Sequence, residues 1–169
     1  MSIKNSTIVV ATLIFLGRIS GFTREWLLSS ISGANEQTDI AVILFTFPDL
    51  IVNLLLGGGL STSLIPYLVS LEDKNKKKFI SQISIFIFLI FLGFAFLFSF
   101  NLNLLWGLLA PGISQEIKRE ANIFFIIIIF CIPITAITGV LSSYLNSKSK
   151  FKVSASGTIL FNTGIIIGL

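Results

Sequence analysis

The sequence predicts an all-α fold, a polytopic bundle of transmembrane helices, from its composition and from the spacing of its charges. Hydrophobic residues make up 54% of the 169 residues and charged residues only 12%, whereas soluble domains are typically about 45–50% apolar and about 25% charged. No charged residue occurs between positions 79 and 115, and a helix needs about 20 apolar residues to cross the hydrocarbon layer. Apolar runs of this length favour helices over β-barrel strands, which alternate in polarity over about 9–11 residues.

We predict five membrane spans separated by short polar stretches. Their approximate ranges are 8–31, 39–71, 79–105, 121–145 and 153–169. The second is too long for one straight span at about 1.5 Å per residue, and Pro48, Pro66 and three glycines interrupt it. We therefore expect this segment to bend or to unwind locally. The fifth span runs to Leu169 without a flanking charge, so we expect the sequence to be the N-terminal part of a longer protein.

The lysines predict how the chain is oriented in the membrane. All but one lie at Lys4, at positions 74–78 and at positions 148–152, which are alternate connections between the spans. The remaining one, Lys118, lies in an intervening connection, in the stretch 116–120, whose charges are balanced in sign. Positive charge is retained on the cytoplasmic side, so we predict a cytoplasmic N-terminus. Trp26 and Trp106 lie near predicted span ends, where tryptophan side chains favour the membrane interface.

The composition excludes several classes of site. The sequence has no histidine, and its one cysteine, Cys131, lies inside an apolar run. A disulfide framework, a thiolate zinc site and histidine-based catalysis are therefore excluded. The net charge of +4 comes from lysines beside apolar runs, which membrane orientation explains better than phosphate binding to nucleic acid. We expect no cofactor, no metal and no nucleic-acid partner.

Three charged residues lie inside the first predicted span. They are Arg18, Arg24 and Glu25, and a charge near the bilayer centre costs about 2.5–3.5 kcal/mol on insertion scales. Arg18 and Glu25 are seven residues apart and share a helical face, while Arg24 points elsewhere. Two interpretations remain open. The arginines form a cationic site for an anionic substrate, since guanidinium matches phosphate, or the three residues form an internal salt-bridge cluster that only fixes packing.

The second predicted span carries two acidic residues and a run of glycines. Asp39 opens the span, where it is placed to cap the helix N-terminus and to interact favourably with its dipole. Asp49 requires a cation, for which Arg18 and Arg24 are the candidates. Gly57, Gly58 and Gly59 lack the Gly-Lys-Ser/Thr continuation of a nucleotide-binding loop, so they favour a hinge or a close helix crossing.

The residues of the first helix and those that follow resemble a known family. The stretch Gly17-Arg18-Ile19-Ser20-Gly21-Phe22-Thr23-Arg24-Glu25 resembles the opening-helix signature of the MurJ/MviN lipid II flippases, which belong to the multidrug/oligosaccharidyl-lipid/polysaccharide exporter superfamily. Further matches, in chain order, are Gly33-Ala34, Thr38-Asp39, Phe47-Pro48-Asp49-Leu50, Gly58 to Ser61, Ile65-Pro66, Pro133, Leu145-Asn146, Lys150-Phe151 and Asn162. The resemblance covers essentially the whole chain and implies part of a two-lobe fold of about fourteen helices around a central cavity.

The resemblance implies transport without covalent chemistry, so the protein is expected not to be an enzyme. Such proteins move undecaprenyl-pyrophosphate-linked peptidoglycan precursor from the cytoplasmic to the periplasmic leaflet of the bacterial inner membrane by alternating access. It implies that Arg18 and Arg24 engage the pyrophosphate, that Asp39 acts in gating, and that the glycines at 57–59 let the second helix bend. The expected partners are the lipid-linked glycan and membrane lipids, with the full-length protein a monomer.

The sequence departs from the family pattern at two places. Val52 and Asn53 stand where the family typically has an arginine, and Gly57 stands where a glutamate is expected. A flippase for another polyprenyl-linked polysaccharide unit is therefore an alternative. A membrane-embedded polyprenyl-phosphate transferase is another, although the loops show no acidic metal-binding motif. A non-catalytic membrane scaffold is the third, and it would need no charge inside a span.

Overall fold

The computed structural model describes residues 3–52 and 60–169, and this part of the chain is helical throughout with short connections. Its seven helices are α1 (Ile3–Ser32), α2 (Glu36–Val52), α3 (Leu60–Ser70), α4 (Asp73–Ser99), α5 (Leu102–Leu109), α6 (Gln115–Ser147) and α7 (Phe151–Gly168). No strand occurs among the described residues, which confirms the predicted all-α class. By length and composition, α4, α6 and α7 are apolar enough to cross a membrane.

Helix α6 is the centre of the fold and packs against α2, α3 and α4. Its buried side chains recur every three or four residues, so they form one stripe along the helix. They are Lys118, Ala121, Phe125, Ile129, Ile132, Pro133, Ala136, Val140 and Ser143. Pro133 has no N–H to donate, and membrane helices tolerate such a gap because neighbouring groups satisfy the freed carbonyl.

The outward faces of the long helices are apolar rather than charged. On α6 the exposed side chains include Ile123, Phe124, Ile127 and Ile134, and α4 exposes a comparable set. A water-facing helix carries charged and polar residues on that side, whereas a lipid-facing helix requires apolar ones. The described helices therefore have the surface of a membrane bundle.

Helices α1 and α7 form a closely packed pair. Gly17 is buried against α7, where an added Cβ would lie 3.5 Å from the Thr158 side chain, and at Gly21 it would lie 3.4 Å from the Asn162 amide. Small residues at such positions let two helix backbones approach. Helix α1 ends at Ser32. Gly33 follows it with a φ of +75°, the left-handed conformation that glycine adopts without steric cost.

Several boundaries differ from those predicted along the sequence. The segment predicted at 39–71 contains two helices, α2 and α3, and residues 53–59 between them lie outside the described residues. The third segment, predicted to reach 105, contains the end of α4 and the start of a separate helix, α5. The charged stretch 116–120, expected in a loop, lies in the first turns of α6. The membrane spans themselves stay predictions.

Trp106 corrects one interpretation of the sequence. It was expected at the membrane interface, but only 3% of it is exposed, whereas Trp26 is 60% exposed. Helix α5 folds Trp106 against Phe125 of α6, with ring centroids 4.4 Å apart, and the indole N–H donates to Asn122 Oδ1 at 2.8 Å. A buried tryptophan requires such an acceptor for its N–H, and Asn122 supplies it from the same helix as Phe125.

Candidate functional site

The predicted site residues fall into three groups in the structure. Arg18 and Glu25 are exposed on one face of α1, while Arg24 is buried, with 5% of its surface exposed. Asp39 is exposed in the first turn of α2. Asp49 lies in α2, but its side chain is outside the described part, and Gly57, Gly58 and Gly59 lie wholly outside the described residues.

Arg24 is held by residues of three helices. Its Nη1 donates to Asn162 Oδ1 of α7 at 3.1 Å, and its Nη2 donates to the adjacent Glu25 Oε1 at 3.1 Å. The guanidinium carbon also lies 5.8 Å from the ring centroid of Phe45 of α2, within the range of a cation–π contact. The charge pair in this helix thus joins Arg24 to Glu25, although Glu25 shares its helical face with Arg18.

The face that buries Arg24 is set by helical spacing. Gly17, Gly21, Arg24 and Leu28 recur at intervals of four, three and four residues, which places them on one stripe of α1. The two glycines bring α7 close, so the next residue of the stripe reaches Asn162. The arginine lies at the α1–α7 contact for this reason, and not because of its charge alone.

Asn162 is the site residue with the most complete set of hydrogen bonds. It is 4% exposed, and its Nδ2 donates to the Gly17 carbonyl at 3.4 Å and to Ser20 Oγ at 3.2 Å. Sequence chemistry assigned no role to Asn162, which had only a place in the family resemblance. The one amide side chain of α7 was the available signal, because a buried polar group requires partners.

Arg18 is placed differently from Arg24. Its side chain is exposed on α1, and no hydrogen bond or ion pair of Arg18 occurs among the described residues. Arginine stays charged under all ordinary conditions, and an exposed charge within an apolar helix needs water or an anion near it. The geometry leaves Arg18 available to an external anion, whereas Arg24 is already engaged.

Asp39 does not cap α2, which corrects the capping interpretation. The cap is Asn35, whose Oδ1 accepts the Thr38 backbone N–H at 2.9 Å and whose position immediately precedes the helix. The Asp39 backbone N–H donates to the Asn35 carbonyl at 3.1 Å. The Asp39 carboxylate is thus left exposed in the first turn, where a negative charge interacts favourably with the helix dipole.

Glu36 links the start of α2 to the start of α6. Its Oε2 accepts the Ser114 backbone N–H at 2.9 Å and the Ser114 hydroxyl at 2.6 Å. These two hydrogen bonds, the hydroxyl one first, and the charge of Lys118 lower the pKa of Glu36 below its usual 4.5. At the other end of the bundle, Lys76 and then Lys148 lower the pKa of Asp73.

Comparison with known proteins identifies the family. A family model described as lipid II flippase MurJ matches residues 28–169. The probable lipid II flippase MurJ of Buchnera aphidicola subsp. Acyrthosiphon pisum is 30% identical over 173 residues, which cover 98% of this chain and 34% of that protein. The lipid II flippase MurJ of Thermosipho africanus is 29% identical over 168 residues, covering 99% of this chain and 35% of that protein. No solved structure gives a significant match.

The chain thus spans about a third of the length of the curated relatives that it matches. Rickettsia prowazekii has a further relative, a probable lipid II flippase MurJ that is 27% identical over 172 residues, 99% of this chain and 34% of that protein. The family model matches well over half of the chain, and the same family name recurs among the relatives. The chain belongs to the lipid II flippase MurJ family.

Proposed function

We propose that this chain takes part in moving an undecaprenyl-pyrophosphate-linked peptidoglycan precursor from the cytoplasmic to the periplasmic leaflet of a bacterial inner membrane. Membership of the MurJ family supports the proposal, as do the names of its relatives, which are lipid II flippases. The observation that carries it at the level of residues is the pair Arg18 and Arg24 in the apolar helix α1. Such charges are functional candidates because they are costly to place in a membrane.

Arg18 and Arg24 offer two guanidinium groups at different depths of one helix. Six residues separate them, which is about 9 Å along the helix axis. Arg18 is exposed and is the group that first meets a pyrophosphate. Arg24 keeps an exposed carboxylate, Glu25, as one of its two hydrogen-bond partners. A pyrophosphate oxygen replaces this carboxylate without loss of charge pairing, because both are anionic acceptors.

The remaining assignments concern the transport cycle. Alternating access requires one part of the bundle to move against another, and Asp39, exposed at the start of α2, is assigned to gating. A bend at Gly57, Gly58 and Gly59 is part of the proposed cycle, and these glycines lie outside the described residues. The lysines at alternate connections support the proposal that the N-terminus lies in the cytoplasm. The cargo crosses unchanged, so this role involves no covalent step and no cofactor.

Binding measurements on the chain in lipid nanodiscs test the proposal. The probe is undecaprenyl pyrophosphate, with neutral undecaprenol as the comparison lipid. Arg18→Gln and Arg24→Gln should each weaken pyrophosphate binding about tenfold or more, because a hydrogen bond to a charged group contributes roughly 1.5–3 kcal/mol. Arg119→Gln removes an exposed arginine from the start of α6 and should leave the affinity unchanged.

Three results would contradict the proposal. Equal affinity of the wild type and both α1 variants would remove the role of the arginines. Chemical conversion of lipid II during incubation, detected by mass spectrometry, would show a transferase instead. Tighter binding of an undecaprenyl pyrophosphate that carries another glycan would replace the peptidoglycan precursor by that polysaccharide unit.

A further inference from the structure

We infer that Asn162 of α7 is a positioning residue for Arg24, which it fixes for anion binding without neutralising it. The inference rests on the proposed function, since it assigns a second helix to the same pyrophosphate site. Asn162 is not expected to touch the substrate. It acts through its hydrogen bond to Arg24, which joins residues 138 positions apart in the sequence.

The orientation of the Asn162 amide is determined by α1. The Gly17 carbonyl can only accept, so the amide nitrogen of Asn162 must face it. The same nitrogen donates to Ser20 Oγ, whose own hydrogen is directed at the Gly17 carbonyl at 2.9 Å. Both contacts hold the amide oxygen toward Arg24, and guanidinium, which can only donate, requires an acceptor there.

The missing side chain at Gly21 leaves room for this amide. A Cβ at that position would lie 3.4 Å from Asn162 Nδ2, at the edge of ordinary contact. Gly21 and Asn162 therefore occupy one small space between the two helices. Gly17, Ser20 and Gly21 are three members of the first-helix motif, and in this structure all three adjoin Asn162.

A neutral acceptor is suited to holding a cation that must still attract an anion. Asn162 and Arg24 are both about nineteen-twentieths buried, so the guanidinium is ordered before the substrate arrives, which reduces the entropy lost on binding. A carboxylate at position 162 would order Arg24 equally well but would cancel its charge. The amide leaves the positive charge in place, and among the described residues the more exposed Glu25 is the carboxylate paired with it.

Two variants separate positioning from simple helix packing. Asn162→Leu removes the acceptor of Arg24 at similar volume. Ser20→Ala removes a partner of the same amide nitrogen but keeps the Arg24 contact. Because a net hydrogen bond contributes about 0.5–1.5 kcal/mol, both variants should lower the thermal unfolding midpoint. If Asn162 positions Arg24, only Asn162→Leu should also weaken undecaprenyl pyrophosphate binding, by about fivefold. Neutral undecaprenol should bind all three proteins equally.

Asn162→Ser is a second variant that keeps the test valid if Asn162→Leu fails to fold. Its hydroxyl can still contact α1, but it is too short to reach Arg24, so the same loss of pyrophosphate affinity is expected with a smaller loss of stability. Equal affinity losses in Ser20→Ala and the position-162 variants would overturn the inference, because packing alone would then explain them.

A double-mutant cycle completes the test. In an Arg24→Gln background, Asn162→Leu should cause no further loss of pyrophosphate affinity, since its effect passes through Arg24. Additive losses would overturn the inference. If Arg24→Gln weakens pyrophosphate binding and Asn162→Leu does not, the positioning role of Asn162 is wrong while the proposed function of Arg24 stands. If Arg24→Gln leaves the affinity unchanged, the proposed function of Arg24 fails and the inference falls with it.

Discussion

The carboxylate of Glu36 completes the N-terminus of a helix to which it does not belong. Its Oε2 accepts both the backbone N–H and the hydroxyl of Ser114, the residue immediately before α6. In a capping box, a glutamate inside the same helix makes the bond to that backbone N–H. Here the carboxylate comes from the first residue of α2, 78 positions earlier in the chain. The same carboxylate therefore completes the N-terminus of α6 and links α2 to it.

Replacement of Glu36 by glutamine should lower the thermal unfolding midpoint of the chain in detergent, because the charge-assisted hydrogen bonds to Ser114 become neutral ones. The effect should depend on pH. The pKa of Glu36 is lowered in the folded state, so its stabilisation is complete above the usual value of 4.5 and is lost as pH falls through the lowered pKa. Unfolding scans should show the largest difference between the two proteins near neutrality, and none in sufficiently acidic buffer.

Glu120→Gln is the matched control for this prediction. It removes the same charge from an exposed position near the start of α6, and no hydrogen bond or ion pair of Glu120 occurs among the described residues. Its midpoint should follow that of the wild type across the pH range. A Glu36→Gln midpoint equal to the wild type at neutral pH would contradict the structural role of the carboxylate.

Phe125 and Phe124 are adjacent but should differ in their response to truncation. Phe125 is fully buried and contacts the rings of Phe47 and Trp106, whereas Phe124 is 59% exposed. Phe125→Ala leaves a cavity and should lower the free energy of unfolding by about 3 kcal/mol. Phe124→Ala exchanges one lipid-facing group for a smaller one and should change it little. Denaturant titration followed by circular dichroism measures the free energy of unfolding of both variants. Similar losses would contradict the burial of Phe125 in the core.

Gly17 should tolerate alanine but not leucine. An added Cβ meets Thr158 at an ordinary 3.5 Å, and alanine favours a helix over glycine by about 0.5–1 kcal/mol, so Gly17→Ala should be neutral or stabilising. Leucine overfills the contact with α7 and should destabilise the protein by about 1–3 kcal/mol. Gly93→Leu serves as the control, because an added Cβ there meets nothing within 4 Å. If both leucine variants unfold at the same midpoint, α1 and α7 are not in contact at Gly17.

The two tryptophans should differ in their access to lipid. Trp26 is 60% exposed and Trp106 is 3% exposed, so brominated lipids should quench the fluorescence of Trp26 and leave that of Trp106 nearly unchanged. The single-tryptophan variants Trp106→Phe and Trp26→Phe allow each to be measured alone. Trp106→Phe should also cost about 1 kcal/mol of stability, because Asn122 loses its donor. Equal quenching in both variants would contradict the burial of Trp106.

The helical class was predictable from the sequence because long apolar runs permit few backbone arrangements in a membrane. Boundaries were harder to predict. Residues 100 and 101 lie between α4 and α5 within a charge-free stretch. Hydropathy alone could therefore not separate the two helices. The burial of Trp106 was missed for a related reason. It depends on contact with Phe125, which lies 19 positions further along the chain.

The helical faces of the candidate residues were predictable from their spacing, whereas their contacts with other helices were not. The spacing of Arg18, Arg24 and Glu25 on α1 was sufficient to place Arg24 on a different face from the other two. Which face meets α7 depends on Gly17 and Gly21, and the acceptor of Arg24 lies 138 residues away. No local pattern connects Asn162 to Arg24, because the contact exists only after the two helices have paired.

The hydrogen bond between Arg24 and Asn162 also bears on how the chain is made. A ribosome completes α1 before α7, so Arg24 is synthesised before its acceptor Asn162. During that interval Glu25, its neighbour, is the partner already available. Helix α1 therefore acquires its polar contact with α7 only after the last described helix has been made.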